Sequence, residues 1–247
     1  MNKDFQQLNQ GLPEFLEQAE SPVSASKQEL LQFQNQLFIV YRRVYRHGQA
    51  IAKRSLDIIG SAVGLILLSP LLIATALIIR FESKGNILFS QYRVGKAGTE
   101  FKMWKFRSMY SDAERRKAAL LEENEMSGGV IFKMKQDPRI TKTGRIIRKF
   151  SIDELPQLWN VLCGNMSLVG PRPALAQEVA QYSLLDRQRL IAKPGITCLW
   201  QVSGRSDIPF DQQVELDRRY SCETSLTTDL KLLALTIPAV LRAKGAY

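Results

Sequence analysis

Hydrophobic and polar positions follow three rhythms along the chain, and each rhythm predicts a different element. Residues 25–52 place Leu30, Leu31, Leu37, Phe38, Tyr41, Val44 and Tyr45 at roughly helical spacing, with Arg42, Arg43 and Arg46 among them. That pattern predicts an amphipathic helix, laid either on a membrane surface or on the body of the protein. The segment IIGSAVGLILLSPLLIATALII, residues 58–79, has no charge at all. As a straight helix it would be about 33 Å long, enough for a hydrocarbon core of about 30 Å. A period of two marks ILFSQYRVG (87–95) and EFKMWKFRSM (100–109), which read as strands joined by a turn at Lys96 to Thr99. In the second, Phe101, Met103, Lys105 and Arg107 alternate with Lys102, Trp104 and Phe106.

Helical spacing returns downstream. SDAERRKAALLEENE (111–125) predicts a helix opened by Ser111 or Asp112, and 126–138 read as a loop with a short strand. Further helices are expected over 154–163, 175–191, 210–223 and 228–243. The last carries Leu230, Leu233, Ile237, Val240 and Leu241 on one face and Pro238 inside, and lies on the membrane or on the core. Residues 1–24, rich in Gln and Glu, read as a loosely structured lead. The expected class is α+β, mostly helical with a small β element.

The apolar segment has three readings: a re-entrant helix, a straight span, or a buried core helix. Ser69-Pro70 sits at its midpoint. Pro70 cannot donate to the carbonyl of Ile66 and its ring clashes there, so a kink is expected. The Ser69 hydroxyl can bond a carbonyl one turn earlier and soften that loss. Lys53 and Arg54 precede the segment; Arg80, Lys84, Arg93 and Lys96 follow it. Lys and Arg favour the cytoplasmic side. A helix that enters, breaks and returns to one face puts both basic flanks there, and this favours the re-entrant form. Asp57, three and four residues after Arg54 and Lys53, is expected to pair with one of them and pin the entry point.

Composition adds a charge asymmetry. The chain carries +10, yet residues 1–24 hold one Lys against four acids, leaving +13 on the remainder. A basic body draws anions such as nucleic acid, acidic lipid or phosphorylated small molecules. The three cysteines, Cys163, Cys198 and Cys222, lie far apart, and His47 is the single histidine. This excludes a CxxC-type zinc site, a disulfide framework and most histidine-based catalysis, and suits a reducing cytoplasm. The polar N-terminus does not read as a cleavable signal peptide.

The candidate chemistry lies in SIDELPQLWN, beginning at Ser151. Ser151 and Glu154 match the S-x-x-E capping box, so Asp153 and Glu154 are expected at a helix N-terminus, a place that favours negative charge and phosphate alike. As a plain cap the motif would be unremarkable. Its surroundings change that: Arg148 and Lys149 lie just upstream, and Gly170-Pro171-Arg172-Pro173 forms a stiff turn presenting Arg172. KPGITCLWQVSGR (193–205) adds Gly195, Gly204 and Arg205. Carboxylates beside several arginines, without a nucleophile–base triad, fit phosphoryl chemistry with a divalent metal. Arg107 and Arg139 join the list of basic residues expected to bind phosphate.

Four runs, KRSLDIIGSAVGLILLSPLLIATALIIR, FKMWKFRSM, RKFSIDELPQLWNVLCGNMSLVGPRP and KPGITCLWQVSGR, together resemble the monotopic phosphoglycosyl transferases of the bacterial sugar transferase family. The resemblance covers roughly 50–247, and its larger members carry a multi-helix membrane module in front that the compact form resembled here does without. It implies three parts: an extension over 1–49 with the amphipathic helix, a re-entrant membrane helix over 50–83, and a catalytic domain over 84–247 on the cytoplasmic face of the bacterial inner membrane. The implied reaction moves a hexose-1-phosphate, galactose or glucose, from a UDP-sugar to polyprenyl phosphate and releases UMP. Such a step initiates exopolysaccharide, capsule or O-antigen assembly. The resemblance makes Asp153 the nucleophile of a covalent phosphosugar intermediate and Glu154 a ligand of Mg2+. It links Arg148 and Arg172 to phosphate binding and Ser69-Pro70 to the helix break. Cys198 stands where many members have glycine, and Gly128-Gly129 is a conjectured loop hinge. The rival is a membrane-tethered nucleic-acid binder, with Phe101, Trp104 and Phe106 as a stacking platform, or a scaffold without catalysis. Neither would need an Asp-Glu pair facing a PRP turn. The implied partners are donor, lipid acceptor and membrane lipid, with no nucleic acid; oligomeric state is open, a homodimer being the form considered.

Overall fold

In a computed structural model the described residues are 47–117, 137–222 and 224–243. Contacts divide the chain into Met1–Ile51 and Ala52–Tyr247, and the second unit is the subject here. Most of the expected N-terminal helix, residues 118–125 and the Gly128-Gly129 hinge lie outside the described residues.

The apolar segment forms two helices, α1 (His47–Leu67) and α2 (Ser69–Glu82), bent by 60° at the break. Leu68 stands at the break and Pro70 falls in the first turn of α2. The carbonyl that Pro70 cannot serve is met by the Ser69 hydroxyl, which donates to Ile66 O at 2.7 Å. No single helix among the described residues is long and apolar enough to cross a membrane, but the bent pair together is. Ile59, Ile66, Leu67, Ile73 and Phe81 are more than half exposed, so the pair is not a buried core element. An exposed apolar surface of this kind calls for a nonaqueous partner. The inner face is close-packed: a Cβ on Gly60 would stand 2.6 Å from Leu168 Cδ1, and one on Gly64 would stand 3.3 Å from Leu158 Cδ1.

Next comes an antiparallel hairpin, β1 (Leu88–Val94) and β2 (Glu100–Phe106), pairing Leu88 with Phe106 and Val94 with Glu100. Its tip turns through Ala97 and Gly98, both with positive φ. The simple alternation expected of β2 holds only in part. Phe101 and Met103 join Val161 and Met166 in one core cluster. Phe106, on the other face, packs with Ile79 of α2 and Ile147. Phe101 and Phe106 are both buried, so of the three aromatics in the rival stacking platform only Trp104 keeps part of its surface open.

Short elements follow: α3 (Ala113–Lys117), α4 (Lys142–Lys149), α5 (Gln157–Leu162), β3 (Ser167–Val169), α6 (Ala176–Ala180), β4 (Gly195–Thr197), α7 (Leu199–Ser203), α8 (Phe210–Cys222) and α9 (Leu226–Arg242). Thr141 opens α4 by accepting from Gly144 N at 2.9 Å. The single helix expected over 175–191 is instead α6 and a separate 3-10 turn at Asp186–Ile191. Ser183 and Asp186 cause the break: the Ser183 hydroxyl and amide both donate to Asp186 Oδ2, a local arrangement that competes with helical bonding.

β3 and β4 pair in parallel, Ser167 with Gly195 and Val169 with Thr197. Runs of three residues carry no periodic signal, and this pair was absent from the sequence-based expectation. It brings the GPRP and PGIT segments together so tightly that a Cβ on Gly195 would lie 2.0 Å from Gly170 N. Behind it, Val169, Tyr220 and Leu232 form a further cluster. Of the two places expected for α9, its apolar stripe does not lie wholly on the core. Its buried face is Asp229 and Leu232, while Leu230, Ile237 and Leu241 of the expected apolar stripe point outward.

Candidate active site

Asp153 and Glu154 lie on a 3-10 turn, Ile152–Glu154, that leads into α5. The expected capping box is not formed: Ser151 is left-handed, with φ 56°, and makes no side-chain cap, and Pro156 occupies the N-cap of α5. Long-range charge explains the change. Glu154 Oε1 accepts from Lys105 Nζ at 2.6 Å and from Arg172 Nη1 at 3.3 Å, so its carboxylate faces β2 and the GPRP turn instead of the Ser151 amide.

The two carboxyl groups are driven apart in acidity. Burial pushes Asp153 up to about 6, and the neighbouring Glu154 charge adds to this against the pull of Lys105, Arg148 and Arg172. Burial works on Glu154 in the same sense, but the charges of Lys105 and Arg172, and the bonds both make to it, hold it down at about 2. Neutral pH thus finds Glu154 firmly anionic and Asp153 close to its own titration range. Such opposed pairs are a common mark of acid–base or nucleophilic sites. Burial also lowers Lys105, which the Glu154 charge only partly restores.

A small pocket opens here, lined by Arg93, Met103, Lys105, Glu154, Gln157 and Arg172 among others. Burial and the adjacent Arg172 charge bring Arg93 down to about 10. Arg205 donates to Ser151 Oγ at 3.5 Å and lies in the field of Glu154. Arg148, Arg172 and Arg205 therefore surround the dyad. Arg107 does not join them. It caps the C-terminal end of α2, donating to the carbonyls of Ser83 and Lys84 at 2.8 Å each. Arg139 is likewise committed, to a buried pair with Asp137 at 2.6 Å. Both are engaged with the framework, away from the pocket beside Glu154.

The entry residues are corrected. Asp57 pairs with neither Lys53 nor Arg54. Its Oδ1 accepts from Ser167 Oγ and Leu168 N at 2.9 and 2.8 Å. Lys53 Nζ reaches Asp229 at 2.6 Å and Val169 O at 3.0 Å. Arg54 donates to Val161 O and Leu162 O, at the negative end of α5. Through these bonds α1 is clamped to β3, the strand that runs into the GPRP turn.

Lys105, Arg93 and Gln157 were missed in the sequence reading. A signal for Lys105 existed: it shares the odd-numbered face of β2 with Phe101 and Met103, and a lysine on an inward face needs a carboxylate partner. Cys198, the departure noted above, is buried and donates to Gln201 Oε1 at 3.1 Å. No cluster of three or more His, Cys, Asp or Glu side chains suited to a metal exists among the described residues. A carboxylate pair beside Arg93 and Arg172 nevertheless fits Mg2+, which takes one or two protein carboxylates and fills its shell with other oxygens and water.

Residues 48–243 match the family described as bacterial sugar transferase. Galactosyl transferase CpsE of Streptococcus agalactiae is 48% identical over 205 residues, covering 83% of this chain and 45% of that protein. The undecaprenyl-phosphate galactose phosphotransferase of Salmonella typhimurium is 41% identical, covering 85% and 45%. The exopolysaccharide production protein ExoY of Sinorhizobium fredii is 38% identical, covering 80% and 88%. The chain thus spans about half the length of the first two relatives and most of the third.

Proposed function

Because this chain belongs to the bacterial sugar transferase family, we propose that it moves a hexose-1-phosphate from a UDP-sugar to polyprenyl phosphate, and that Asp153 is its nucleophile. The observation that carries the reading is the split dyad: a buried Asp153 near its titration range beside a Glu154 held anionic by Lys105 and Arg172.

In the first step an Asp153 oxygen attacks the β-phosphorus of the donor. The bond from that phosphorus to the bridging oxygen breaks, and UMP leaves with the electron pair. In the second, a phosphate oxygen of the lipid acceptor attacks the same phosphorus and Asp153 departs as carboxylate. The nucleophile gains from burial, which strips water from its oxygens. Its raised pKa, about 6, still leaves it mostly ionised at neutral pH. Arg172, Lys105 and Arg93 offset the charge of the diphosphate; an anhydride is already activated, so charge neutralisation and alignment are the protein's main tasks. Glu154 would hold Mg2+, and the bound ion would further neutralise that diphosphate.

The bent α1–α2 pair supports a re-entrant anchor. Its exposed leucines and isoleucines enter the lipid, and the flanks at Arg54 and Lys84 stay on one face. The clamp from α1 to β3 then holds the site at the surface, where a water-soluble donor and a lipid acceptor can both reach it. These features support a location at the cytoplasmic face of the inner membrane. Galactose is the sugar supported by the names of the Streptococcus and Salmonella relatives.

The test is UMP release by the full chain, with undecaprenyl phosphate and a panel of UDP-sugars. UDP-galactose is expected to react fastest, and no UMP from any donor would end this reading. Single cysteines near Arg54 and Lys84 are expected to label from the same side of sealed vesicles.

A further inference from the structure

Arg172 leaves the GPRP turn with its guanidinium at Glu154, and a buried ion pair grips the turn from behind. Arg189 Nη2 pairs with Asp217 Oδ2, both side chains being almost wholly buried. The same Nη2 donates to the carbonyl of Arg172 at 3.3 Å, and Nη1 donates to the Tyr182 hydroxyl at 2.8 Å. Burial pushes the Asp217 carboxyl up to about 6, and Arg189, the Trp200 indole and the Arg172 amide oppose this. The indole stops short of hydrogen-bond geometry, leaving Trp200 Nε1 and Asp217 Oδ1 buried without a partner. The Arg172 guanidinium in turn lies over the Trp200 ring, 5.9 Å from its centroid.

A buried pair is a poor source of stability, since well-packed apolar residues often replace one at no loss. This pair has a different distinguishing property: Arg189, which Asp217 holds, and the ring of Trp200 converge on one residue. Arg189 holds its carbonyl, and the Trp200 ring lies under its guanidinium. A side chain that must meet a diphosphate through a planar fork tolerates little displacement, and an error of about 1 Å can reduce rate on the order of 10²-fold.

We propose that Asp217 and Arg189 are positioning residues which, with Trp200, fix the backbone and guanidinium of Arg172 against Glu154 and the donor diphosphate. The proposal rests on the phosphate-binding reading of Arg172 given above. It adds a layer to the site that reaches from the GPRP turn through α7 to α8.

A double-mutant cycle tests it in the full chain. The neutral pair Asp217→Asn with Arg189→Gln avoids an unpaired buried charge. Its kcat/KM for UMP release from UDP-galactose is measured alone and in the Arg172→Lys background. Alone, the neutral pair is expected to lower kcat/KM about tenfold, while in Arg172→Lys, where the fork is already lost, the further loss is less than about twofold. Equal losses in the two backgrounds would overturn the positioning role. Wild-type activity of Arg172→Lys and Arg172→Ala would instead overturn the reading of Arg172 itself. Trp200→Phe keeps a smaller ring under Arg172 and removes the rest of the indole with its N–H. It repeats the cycle if the neutral pair does not fold, with about a threefold loss expected in the Arg172 background and none in Arg172→Lys.

Discussion

Two of the places where the chain takes charge out of water treat that charge differently. Where α1 meets the body, Lys53, Arg54, Asp57 and Asp229 are distributed among short bonds to Val169 O, Val161 O, Leu162 O, Ser167, Leu168 N and Tyr220. Every one of these groups is answered by a partner fixed in the fold. At the dyad the sharing is lopsided. Glu154 takes both Lys105 and Arg172 on a single oxygen, and its neighbour Asp153 is pushed toward protonation by the burial that both endure. Balanced charge joins the apolar helix to the body; unbalanced charge leaves one carboxylate ready to react.

The comparison breaks most decisively at Asp153. Asp153→Asn is expected to lower UMP release by on the order of 10³-fold or more while far-UV circular dichroism stays unchanged. Retained activity would remove the nucleophile assignment. The arginines come next. Arg172→Ala is expected to lose on the order of 10²-fold in kcat, as for loss of a transition-state donor. Arg107→Ala, which only uncaps α2, is expected to lower the melting temperature and leave kcat within a few-fold. On the anchor side, Asp229→Ala strands Lys53, itself a quarter exposed, and is expected to cost about 1–3 kcal/mol of stability in denaturant titrations. An effect on kcat larger than that on stability would blur the division between the two places.

The smallest effect concerns pH. The folded Asp153 titrates at about 6 against an ordinary 3.8. Its contribution to stability is therefore fully present below about pH 4 and is lost as pH rises through about 6. Asp153→Asn should accordingly melt higher than the wild type at pH 8, by about 1–3 kcal/mol at most, and lose that advantage near pH 4. Activity runs the other way, rising through about pH 6 as the nucleophile ionises. Identical melting curves at pH 8 would argue that Asp153 is not strained by burial.

The bent helix pair was readable because its signals are local. Ser69-Pro70 breaks a helix through bonds made within one turn, and the Ser69 hydroxyl serves the carbonyl of Ile66. The hairpin was readable from its period of two and its glycine turn. The dyad was found as a motif, but its geometry was not. Ser151-x-x-Glu154 is a good local cap, and only Lys105, 49 positions away in sequence, and Arg172 override it. The β3–β4 pair is hidden for a related reason: its three-residue strands are held by the close meeting of Gly170 and Gly195, which no periodicity reveals. Arg107 and Arg139 show the converse. A basic residue near a basic motif suggests phosphate, yet their partners, the end of α2 and Asp137, lie in the framework.

The covalent intermediate is the most direct test of the central claim. Full-length protein is incubated with UDP-galactose and Mg2+ without lipid acceptor, and its intact mass is recorded. A gain of one hexose phosphate, mapped by peptide analysis to Asp153, absent from Asp153→Asn and discharged by undecaprenyl phosphate, is the expected result. UMP released at full rate in the presence of acceptor, with no adduct at Asp153 in its absence, would contradict it.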